Sequence, residues 1–433
     1  MKLKRVVVVG MGFGGLSTAK ALAGNGVEIV MVDRHNYHLF QPLLYQVATA
    51  GLEQESIAYP VRALARSWKN ASFRLGEVNG LDFQSKRLFT DSGPIDYDYL
   101  VLAAGSRTNF FGNKSIEKHA FDLKQLSHAE TLRNHILALF EKASQVQDPA
   151  ERAKLLTFIV VGGGPTGVEF VGALQELVTH VLSQDYPEIA TTETRVILVE
   201  ASSSLLTAMP EKLRTYALDR LQKMGVEVIL NTLVTGADAD HVTLENLKMI
   251  VTGADADQVI LESGNVIASR TLFWSAGVAA AELAGKTGAP QAAGGRITVL
   301  PDLSLEGFPE VFVIGDMACV MQNGKPLPMM APVASQQGRY VAQVILAREI
   351  GEAVPPFHYQ DKGAMATIGR NSAVAITNGF AFSGYIAWLA WLLLHLYYLI
   401  GFRNRILVLM NWSYYYFFHE RQVRLITRPP KLL

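Results

Sequence analysis

Short apolar runs recur along the chain, and each ends at a glycine, an acid or a small residue. Polar and apolar residues do not alternate within a run, which is typical of parallel strands covered on both faces. Longer stretches with helical spacing lie between the runs, so the pattern predicts an α/β fold with a mostly parallel sheet. The predicted strands are residues 6–9, 27–32, 100–103, 158–161, 196–199, 272–274 and 311–314, and the predicted helices include 16–23, 126–143, 168–182 and 211–223.

The composition limits the class of protein. The chain has 433 residues, 49% hydrophobic and 18% charged, so it can form two or three domains and is not a disordered chain. With 39 basic and 39 acidic residues the net charge is zero, which gives no reason to expect nucleic acid as a partner. Cys319 is the only cysteine, which excludes disulfides, redox cysteine pairs and thiolate zinc sites, and the scattered histidines indicate no other metal site.

The first residues resemble a signal peptide only in their charge. Lys2, Lys4 and Arg5 precede the apolar run 6–9, but a secretory signal needs roughly 7–15 apolar residues. We therefore expect a buried first strand and a protein that stays on the cytoplasmic side.

The composition changes after about residue 380. From 385 to 402 only His395 interrupts an apolar and aromatic run of 18 residues, and residues 371–433 carry six basic side chains against one acid, Glu420. If helical, the run is just long enough to cross a hydrocarbon core of roughly 30 Å. Apolar and aromatic faces with a basic rim are typical of a membrane-surface helix, and His395 and the flanking aromatic residues favour that arrangement over a span. A buried core or dimer helix is the third alternative.

One segment is duplicated: residues 234–240 recur as 251–257. The aspartates of the two copies raise the possibility of a calcium site, but neither copy has the ligand spacing of a known calcium loop. A duplicated turn in an antiparallel meander is the favoured interpretation, because isolated Asp-rich turns are ordinary turn chemistry.

A glycine-rich turn follows the first predicted strand and opens a predicted helix. Gly10 permits a tight turn, Gly12 lets the backbone approach a pyrophosphate, and Gly14 and Gly15 allow the helix to pack closely. The helix N-terminus supplies N–H groups and a positive dipole end. Asp33 ends the next strand, where a carboxylate can bond a ribose diol, so the constellation predicts a dinucleotide site.

The same constellation returns after the strand at 158–161, with Glu200 closing the following strand. An acid there favours a free ribose 2′-hydroxyl and repels a 2′-phosphate, which predicts NADH over NADPH. Two dinucleotide folds in one chain predict a tightly held flavin and a visiting nicotinamide, because hydride transfer requires both. The residues of this second turn are Gly162, Gly164, Pro165, Thr166 and Gly167.

These residues resemble the two-dinucleotide-binding-domain flavoproteins, and within them the type II NADH dehydrogenases, which are non-pumping NADH:quinone oxidoreductases. The resemblance runs nearly end to end. It includes the stretch 33–48, the sequence Gly-Glu-Val at 76–78, the Ala-Gly pairs at 104–105 and 276–277, the Gly-Asp pair at 315–316 and the segment 359–363. It implies two Rossmann-like domains, the second inserted in the first, with a C-terminal membrane-associating helical tail. The implied domains are 1–115 with 295–365 for FAD, 116–294 for NADH and 366–433 for membrane attachment.

The resemblance also implies roles for individual residues. It places Glu169 near the flavin and nicotinamide, and Lys362 near the flavin and quinone. For FAD it implies Gly10, Gly12, Gly14, Gly15, Asp33, Arg34, Gln46, Val78, Ala104, Gly105 and Asp316; for NADH Gly162, Gly164, Pro165, Thr166, Gly167, Glu200, Ala276 and Gly277; and for quinone Gln46, Gln336, Gln337 and Lys362. Pro332 stands where the family's quinone motif usually has its first glutamine, so the pocket is expected to differ in shape or head-group preference.

The expected activity is therefore oxidation of NADH through non-covalent FAD to a membrane quinone without proton pumping. The expected location is the cytoplasmic face of the inner membrane, as a peripheral homodimer. The related sulfide:quinone oxidoreductases and disulfide reductases need a cysteine pair, which Cys319 alone cannot supply. Two alternatives stay open: a soluble-type NADH-dependent flavoprotein reductase with a protein or small-molecule acceptor, and a non-catalytic membrane flavoprotein.

Overall fold

The computed structural model describes residues 3–246, 265–421 and 423–427. The chain divides into two compact units, and each is described by itself. The first unit comprises residues 1–39, 58–109 and 278–362, and the second comprises 40–57, 110–277 and 363–433. The first copy of the duplicated segment lies at a hairpin between the strands Thr232–Ala237 and His241–Asn246, and the second copy, 251–257, lies outside the described residues.

A six-stranded sheet forms the centre of the first unit. Its strands pair in parallel apart from one antiparallel edge strand, Ser304–Leu305. Alternate valines of the strand Lys4–Val9 belong to two different apolar clusters, so both faces of the sheet are covered. In order, the strands are Ser304–Leu305, Phe308–Val313, Tyr99–Leu102, Lys4–Val9, Val27–Asp33 and Ala71–Leu75.

Helices and smaller sheets complete the first unit. The helices are Phe13–Leu22, Val61–Ser67 and Ala331–Glu349, with 3-10 turns at Glu282–Thr287, Ala293–Gly295 and Gly315–Met317. The remaining strands are Tyr37–Leu39, Ala58–Pro60, Val78–Asp82, Arg87–Thr90, Gly93–Asp96, Ser106–Thr108, Val278–Ala280, Gln291–Ala292, Arg296–Thr298, Ala318–Cys319, Met321–Gln322 and Lys325–Pro326.

The second unit is built on a five-stranded parallel sheet. Its strands, in order, are Ala120–Phe121, Thr271–Trp274, Thr157–Val161, Arg195–Val199 and Glu227–Ile229. Antiparallel sheets are formed by Thr232–Ala237, His241–Asn246 and Asn265–Ala268, and by Ala364–Thr367, Ala373–Thr377 and Phe380–Gly384. The helices are Leu44–Ala48, Lys114–His119, Leu126–Ala143, Pro149–Leu155, Pro165–Leu177, Ser183–Asp185, Glu211–Lys223, Tyr385–Tyr398 and Phe402–Phe418, with a π-helical turn at Val178–Leu182 and 3-10 turns at Gln41–Leu43, Gln54–Ser56 and Thr191–Glu193.

The predicted elements are confirmed within a few residues. All seven predicted strands are present, and the helices Leu126–Ala143 and Glu211–Lys223 have the predicted bounds. The helix predicted at 168–182 begins earlier, at Pro165, because proline fits the first helical turn, and it changes to a π-helical turn at Val178.

The apolar run 385–402 is not one helix. Two helices, Tyr385–Tyr398 and Phe402–Phe418, which we call the tail helices, are separated because Leu399 is extended and Gly401 has a φ of 89°. Across residues 3–246, 265–421 and 423–427, no helix combines the length and apolar character needed to cross a membrane.

Candidate functional site

The glycine turn of the first unit is built so that side chains are excluded. Gly10 has a φ of 92°, and a Cβ there would collide with the carbonyl oxygen of Ala103. A Cβ at Gly15 would collide with the Gly10 carbonyl oxygen, and Gly14 lies against Ile314. At Gly12, by contrast, an added Cβ would meet nothing within 4 Å, so open space lies at the start of the helix Phe13–Leu22. This is the shape of a phosphate cradle.

Asp33 is held against this turn by backbone groups. One carboxylate oxygen accepts from the Met11 N–H at 2.6 Å and the other from the His35 N–H at 2.7 Å. Burial raises the pKa of Asp33 in spite of these hydrogen bonds. A carboxylate has about four lone-pair sites, so it can still accept from ribose hydroxyls.

The other residues expected around the first dinucleotide lie in the same unit, except Gln46, which belongs to the second unit. Ala104 donates its N–H to the Met317 sulfur at 3.2 Å, and Gly105 has a φ of 73°. Val78 is buried at the start of its strand, while Arg34 pairs with Glu77 across 3.7 Å at the surface.

Asp316 lies in the single turn Gly315–Met317, where its carboxylate accepts from the Ser106 hydroxyl at 2.6 Å. Gln337 supports this turn, since its side-chain oxygen accepts from the Gly315 N–H at 2.6 Å. Gln337 is completely buried, and its side-chain nitrogen finds no hydrogen-bond acceptor among the described residues. A bound polar group would relieve this unsatisfied donor.

Gln336 and Lys362 belong to the first unit as well. The Gln336 amide makes two hydrogen bonds with the backbone of Gln360, at 2.8 and 3.0 Å, and so holds the segment that leads to the exposed Lys362. Pro332 lies in the first turn of the helix Ala331–Glu349, the position expected for a proline that starts a helix.

The second unit repeats the geometry of the first turn. Gly162 has a φ of 104° and approaches the backbone of Ala276, and a Cβ at Gly167 would collide with the Gly162 carbonyl oxygen. An added Cβ at Gly164 would again meet nothing within 4 Å. Pro165 and Thr166 begin the helix Pro165–Leu177.

Glu200 takes the place that Asp33 has in the first unit. Its carboxylate accepts from the Gly163 N–H at 2.5 Å and from the Ser202 N–H at 2.7 Å. Gly277, with a φ of 90°, follows the neighbouring strand Thr271–Trp274 and contacts Phe111. The second turn therefore has the same construction as the first, with a carboxylate held against the glycine-rich backbone.

Glu169 is a buried carboxyl group one turn into the second glycine helix. It is 8% exposed, and its Oε1 accepts from the Thr367 N–H at 3.3 Å and from the Trp391 indole N–H at 3.2 Å. Burial outweighs these two hydrogen bonds and raises the pKa of Glu169 to about 8. A carboxyl group that titrates near neutral pH can take up and release protons during a reaction.

An apolar cavity of about 400 Å³ lies in the second unit, and Gln46 contributes to its wall. The Gln46 side-chain oxygen accepts from the Trp412 indole N–H at 2.7 Å, and its nitrogen donates to the Tyr45 hydroxyl at 3.0 Å. Leucines of the tail helices line the apolar part of the cavity: Leu389, Leu392, Leu393, Leu396 and Leu409.

A buried ion pair fixes the chain that follows the second tail helix. The Arg421 guanidinium lies 3.4 Å from a Glu176 carboxylate oxygen that also accepts from the Tyr415 hydroxyl at 2.9 Å. Arg421 also donates to the carbonyl oxygens of Thr49, at 2.6 Å, and Ala173, at 3.1 Å. We call this group the Arg421 clasp.

The expected site residues thus fall into two groups. The first unit contains those of the first turn together with Asp316, Gln336, Gln337 and Lys362, and the second unit contains those of the second turn together with Gln46 and Glu169. Sequence reasoning missed the partners of Gln46 and Glu169, namely Tyr45, Thr367, Trp391 and Trp412. In the described part of the chain, no three His, Cys, Asp or Glu side chains cluster as metal ligands.

The chain matches two known protein families, which define the class of protein to which it belongs. The family described as pyridine nucleotide-disulphide oxidoreductase matches residues 4–338, which is more than half of the chain. A second family, described as the NDH2 C-terminal domain, matches residues 361–421. The fold and the two glycine turns are those of a pyridine nucleotide oxidoreductase.

Individual relatives narrow this class. The type II NADH:quinone oxidoreductase Ndh of Mycobacterium tuberculosis is 43% identical over 424 residues, covering 94% of this chain and 87% of the relative. The type II NADH:quinone oxidoreductase of Staphylococcus haemolyticus is 30% identical over 389 residues, covering 88% and 91%. The chain belongs to the type II NADH:quinone oxidoreductase family. These relatives give no support to the soluble-type reductase alternative.

Solved structures confirm the fold class. NDH2 from Plasmodium falciparum in complex with NADH matches with a TM-score of 0.87 and 18% identity, covering 99% of this chain and all of the other. The sulfide:quinone oxidoreductase of Aquifex aeolicus matches with a TM-score of 0.74 and 17% identity, covering 96% of each chain. At these identities the likeness concerns the fold alone.

Proposed function

We propose that this protein oxidises NADH and reduces a membrane quinone, with FAD as a non-covalent resident cofactor. The main support for this proposal is that the glycine turn occurs twice. Each turn has the same construction and its own carboxylate, Asp33 or Glu200, so we expect the chain to bind two dinucleotides. When bound, FAD supplies the redox group that connects the two substrates. Membership of the family supports the pairing of NADH with quinone.

The first unit has the residues to hold FAD. The open space at Gly12 and the start of the helix suit a pyrophosphate, and Asp33 suits the ribose next to adenine. Asp316 would bind the ribityl and phosphate region, and Val78 would reach the adenine through its backbone. Arg34, Ala104 and Gly105 of the same unit complete the proposed FAD set. The unsatisfied donor of buried Gln337, next to the Asp316 turn, is the structural observation that fits a bound polar group there.

The second unit has the residues to bind NADH. Gly164 leaves space for the pyrophosphate, and Glu200 accepts from the free hydroxyls of the adenosine ribose. Glu169, further along the same helix, would hold a proton for quinone reduction or orient the nicotinamide.

Coenzyme choice tests the role of Glu200. We expect Glu200→Gln to lower the preference for NADH over NADPH by about tenfold or more, because the negative charge that repels a 2′-phosphate is removed. The measurement is kcat/KM for each coenzyme with ferricyanide as acceptor. Glu227→Gln, which removes an acid that pairs with Arg195 at 2.8 Å, is the matched control. Equal preference in all three proteins would contradict the assignment.

The residues proposed for quinone binding are Gln46, Gln336, Gln337 and Lys362; of these, Gln337 is completely buried next to the Asp316 turn. The position of Gln46 supports this assignment, because its polar amide group lies in the wall of an apolar cavity. An apolar quinone with two carbonyl oxygens requires this combination of an apolar pocket and a hydrogen-bond donor.

The tail helices would attach the protein to a lipid surface as a peripheral protein, on the cytoplasmic face of the inner membrane. Exposed apolar side chains support this proposal, among them Phe402 at 80% exposure and Leu393 at 70%. Arg403 and Arg405 are adjacent cations for anionic headgroups. The homodimer remains a prediction.

Vesicle flotation tests this attachment. We expect Phe402→Asp with Leu393→Asp to reduce binding to vesicles with anionic headgroups about tenfold or more, because each carboxylate would have to enter the lipid. Ile350→Asp changes a side chain of similar exposure, 71%, in the first unit and should bind like wild type. Unchanged flotation of the double variant would refute the proposed surface.

The overall activity is tested with purified protein. It should be yellow, lose its colour on addition of NADH under anaerobic conditions, and regain it when a quinone analogue is added. Acid precipitation should release the flavin into solution if it is not covalently bound. Loss of colour without recovery by quinone would support a reductase with a different acceptor, and absence of bleaching would exclude the enzyme.

A further inference from the structure

The tail helices supply the indole groups that contact two polar side chains of the proposed quinone machinery. Trp391 and Trp412 each donate one indole N–H, to Glu169 and Gln46 respectively. We propose that these two tryptophans are positioning residues for quinone reduction: Trp412 sets the orientation of the Gln46 amide, and Trp391 sets which oxygen of Glu169 carries the proton. This inference rests on the proposed function. It gives the tail helices a role in quinone reduction in addition to membrane attachment.

Trp412 determines which way the Gln46 amide faces. An indole N–H is a donor only, so the oxygen of the amide must lie on its side, 2.7 Å away. The amide nitrogen then lies 3.0 Å from the Tyr45 hydroxyl. Tyr45 is buried, and burial raises its pKa, which keeps the phenol protonated. The second N–H of the Gln46 amide is the kind of donor that a quinone carbonyl oxygen accepts.

Trp391 acts on Glu169 in a similar way. It is completely buried, and its N–H shares Glu169 Oε1 with the Thr367 N–H. Because both donors bind Oε1, that oxygen is favoured as the unprotonated one, and the proton of the neutral carboxyl group is placed on Oε2. Both hydrogen bonds stabilise the charged carboxylate, so they limit the rise in pKa that burial produces.

Ring contacts hold the two indoles together. The Trp391 and Trp412 ring centroids are 5.9 Å apart, and Trp391 stacks on His395 at 3.8 Å and meets Tyr45 edge-on at 6.5 Å. A shift of either tail helix would therefore change the hydrogen bonds of Gln46 and of Glu169 together. The contact between the tail helices therefore connects their exposed apolar side chains to the hydrogen bonds of Gln46 and Glu169.

The titratable groups around Glu169 allow its pH dependence to be isolated. Tyr45 stays protonated, and burial lowers the pKa of His395, on the first tail helix, to about 4, so that it is neutral near pH 7. Glu176, two turns further along the same helix, is paired with Arg421. None of these groups is removed by a change at Trp391.

The experiment compares Trp391→Phe, Trp412→Phe and Trp388→Phe, with quinone reduction measured against pH and quinone concentration. Each change keeps an aromatic ring and removes an indole N–H. Trp388 packs its ring against Tyr385 and Tyr416, so its variant makes the same change in size without removing either hydrogen bond. Thermal unfolding and flavin content of each variant report whether it is folded.

The two test variants should give different signatures. Loss of one hydrogen bond to the charged form should move the pH midpoint assigned to Glu169 upward by about one unit in Trp391→Phe. Trp412→Phe should raise the KM for quinone about tenfold while the pH midpoint stays in place. Trp388→Phe should leave the midpoint in place. If both test variants match Trp388→Phe, or if all quinone and NADH parameters fall together in folded protein, the positioning roles are wrong.

Failure of the broader proposal looks different. If the wild-type protein bleaches with NADH but reduces no quinone analogue, the proposed function itself is wrong, and the positioning roles fall with it. If the wild-type protein reduces quinone and both test variants behave like Trp388→Phe, the positioning roles alone are wrong.

Discussion

Gly12→Ala is expected to lower the flavin content of the purified protein about tenfold or more, whereas Gly164→Ala should keep its flavin and raise the KM for NADH to a similar degree. Both positions lead into a helix at the end of a strand, and an added Cβ at either meets nothing within 4 Å of protein. The added methyl group therefore fills only the space proposed for the pyrophosphate, where the backbone must come close to the ligand. Flavin absorbance per protein and steady-state NADH kinetics with ferricyanide measure the two effects.

Gly15→Ala and Gly167→Ala are the structural counterparts of these variants. An added Cβ at these positions would overlap the carbonyl oxygen of Gly10 or Gly162, so both variants should have a lower thermal unfolding temperature than wild type. Gly12→Ala and Gly164→Ala should not, when all proteins are measured without bound cofactor. If Gly12→Ala raised the KM for NADH and Gly164→Ala released the flavin, the two cofactor assignments would have to be exchanged. Normal flavin content and normal NADH kinetics in both would remove the basis of the proposed function.

Glu169→Gln should slow quinone reduction about a hundredfold, in the range typical of a lost general acid or base, while NADH oxidation by ferricyanide is retained. The substitution keeps the shape of the side chain and its hydrogen-bonding capacity but removes the titratable proton. The wild-type rate should change with a midpoint near pH 8, the pKa to which burial raises Glu169, and the variant should lack that midpoint. A variant with unchanged rates in both half-reactions would dismiss the residue.

The same carboxyl group affects the pH dependence of folding. Its pKa rises from 4.5 to about 8 on folding, so the folded protein holds this proton more tightly than the unfolded chain does. The contribution of Glu169 to the free energy of unfolding is therefore fully present below about pH 4.5 and decreases as the pH rises towards 8. Relative to wild type, Glu169→Gln should be more stable at pH 9 than at pH 6, measured by thermal unfolding. An equal difference at both pH values would show that Glu169 is not buried as described.

The two glycine turns were predictable because all of their determinants are local. A strand, a tight turn and a helix start within about ten residues, and the acid follows at the end of the next strand, so the order of residues alone specifies Gly10 with Asp33 and Gly162 with Glu200. The structure adds the reason why glycine is required at Gly15 and Gly167, which is a close approach of backbone to backbone.

The polar contacts of Glu169 and Gln46 were not predictable in this way. Trp391 follows Glu169 by 222 residues and Trp412 follows Gln46 by 366, so no periodicity connects them. Tryptophan is also common in apolar segments that lie at a lipid interface. The sequence alone therefore did not indicate that Trp391 and Trp412 make hydrogen bonds inside the protein. The break between the tail helices was missed because hydropathy does not report that Gly401 adopts a positive φ.

The Arg421 clasp bears on how a detergent-free version of this enzyme should be engineered. A truncation that removes Arg421 would leave the buried Glu176 carboxylate without its charged partner. Loss of one member of a buried ion pair typically lowers the free energy of unfolding by about 3–5 kcal/mol. Shortening the chain would therefore destabilise the folded second unit as well as remove the proposed membrane-attachment surface. Replacing outward-facing side chains that do not line the cavity, such as Phe402 and Ile386, with polar ones while keeping the backbone through Arg421 is the safer route to a soluble reagent.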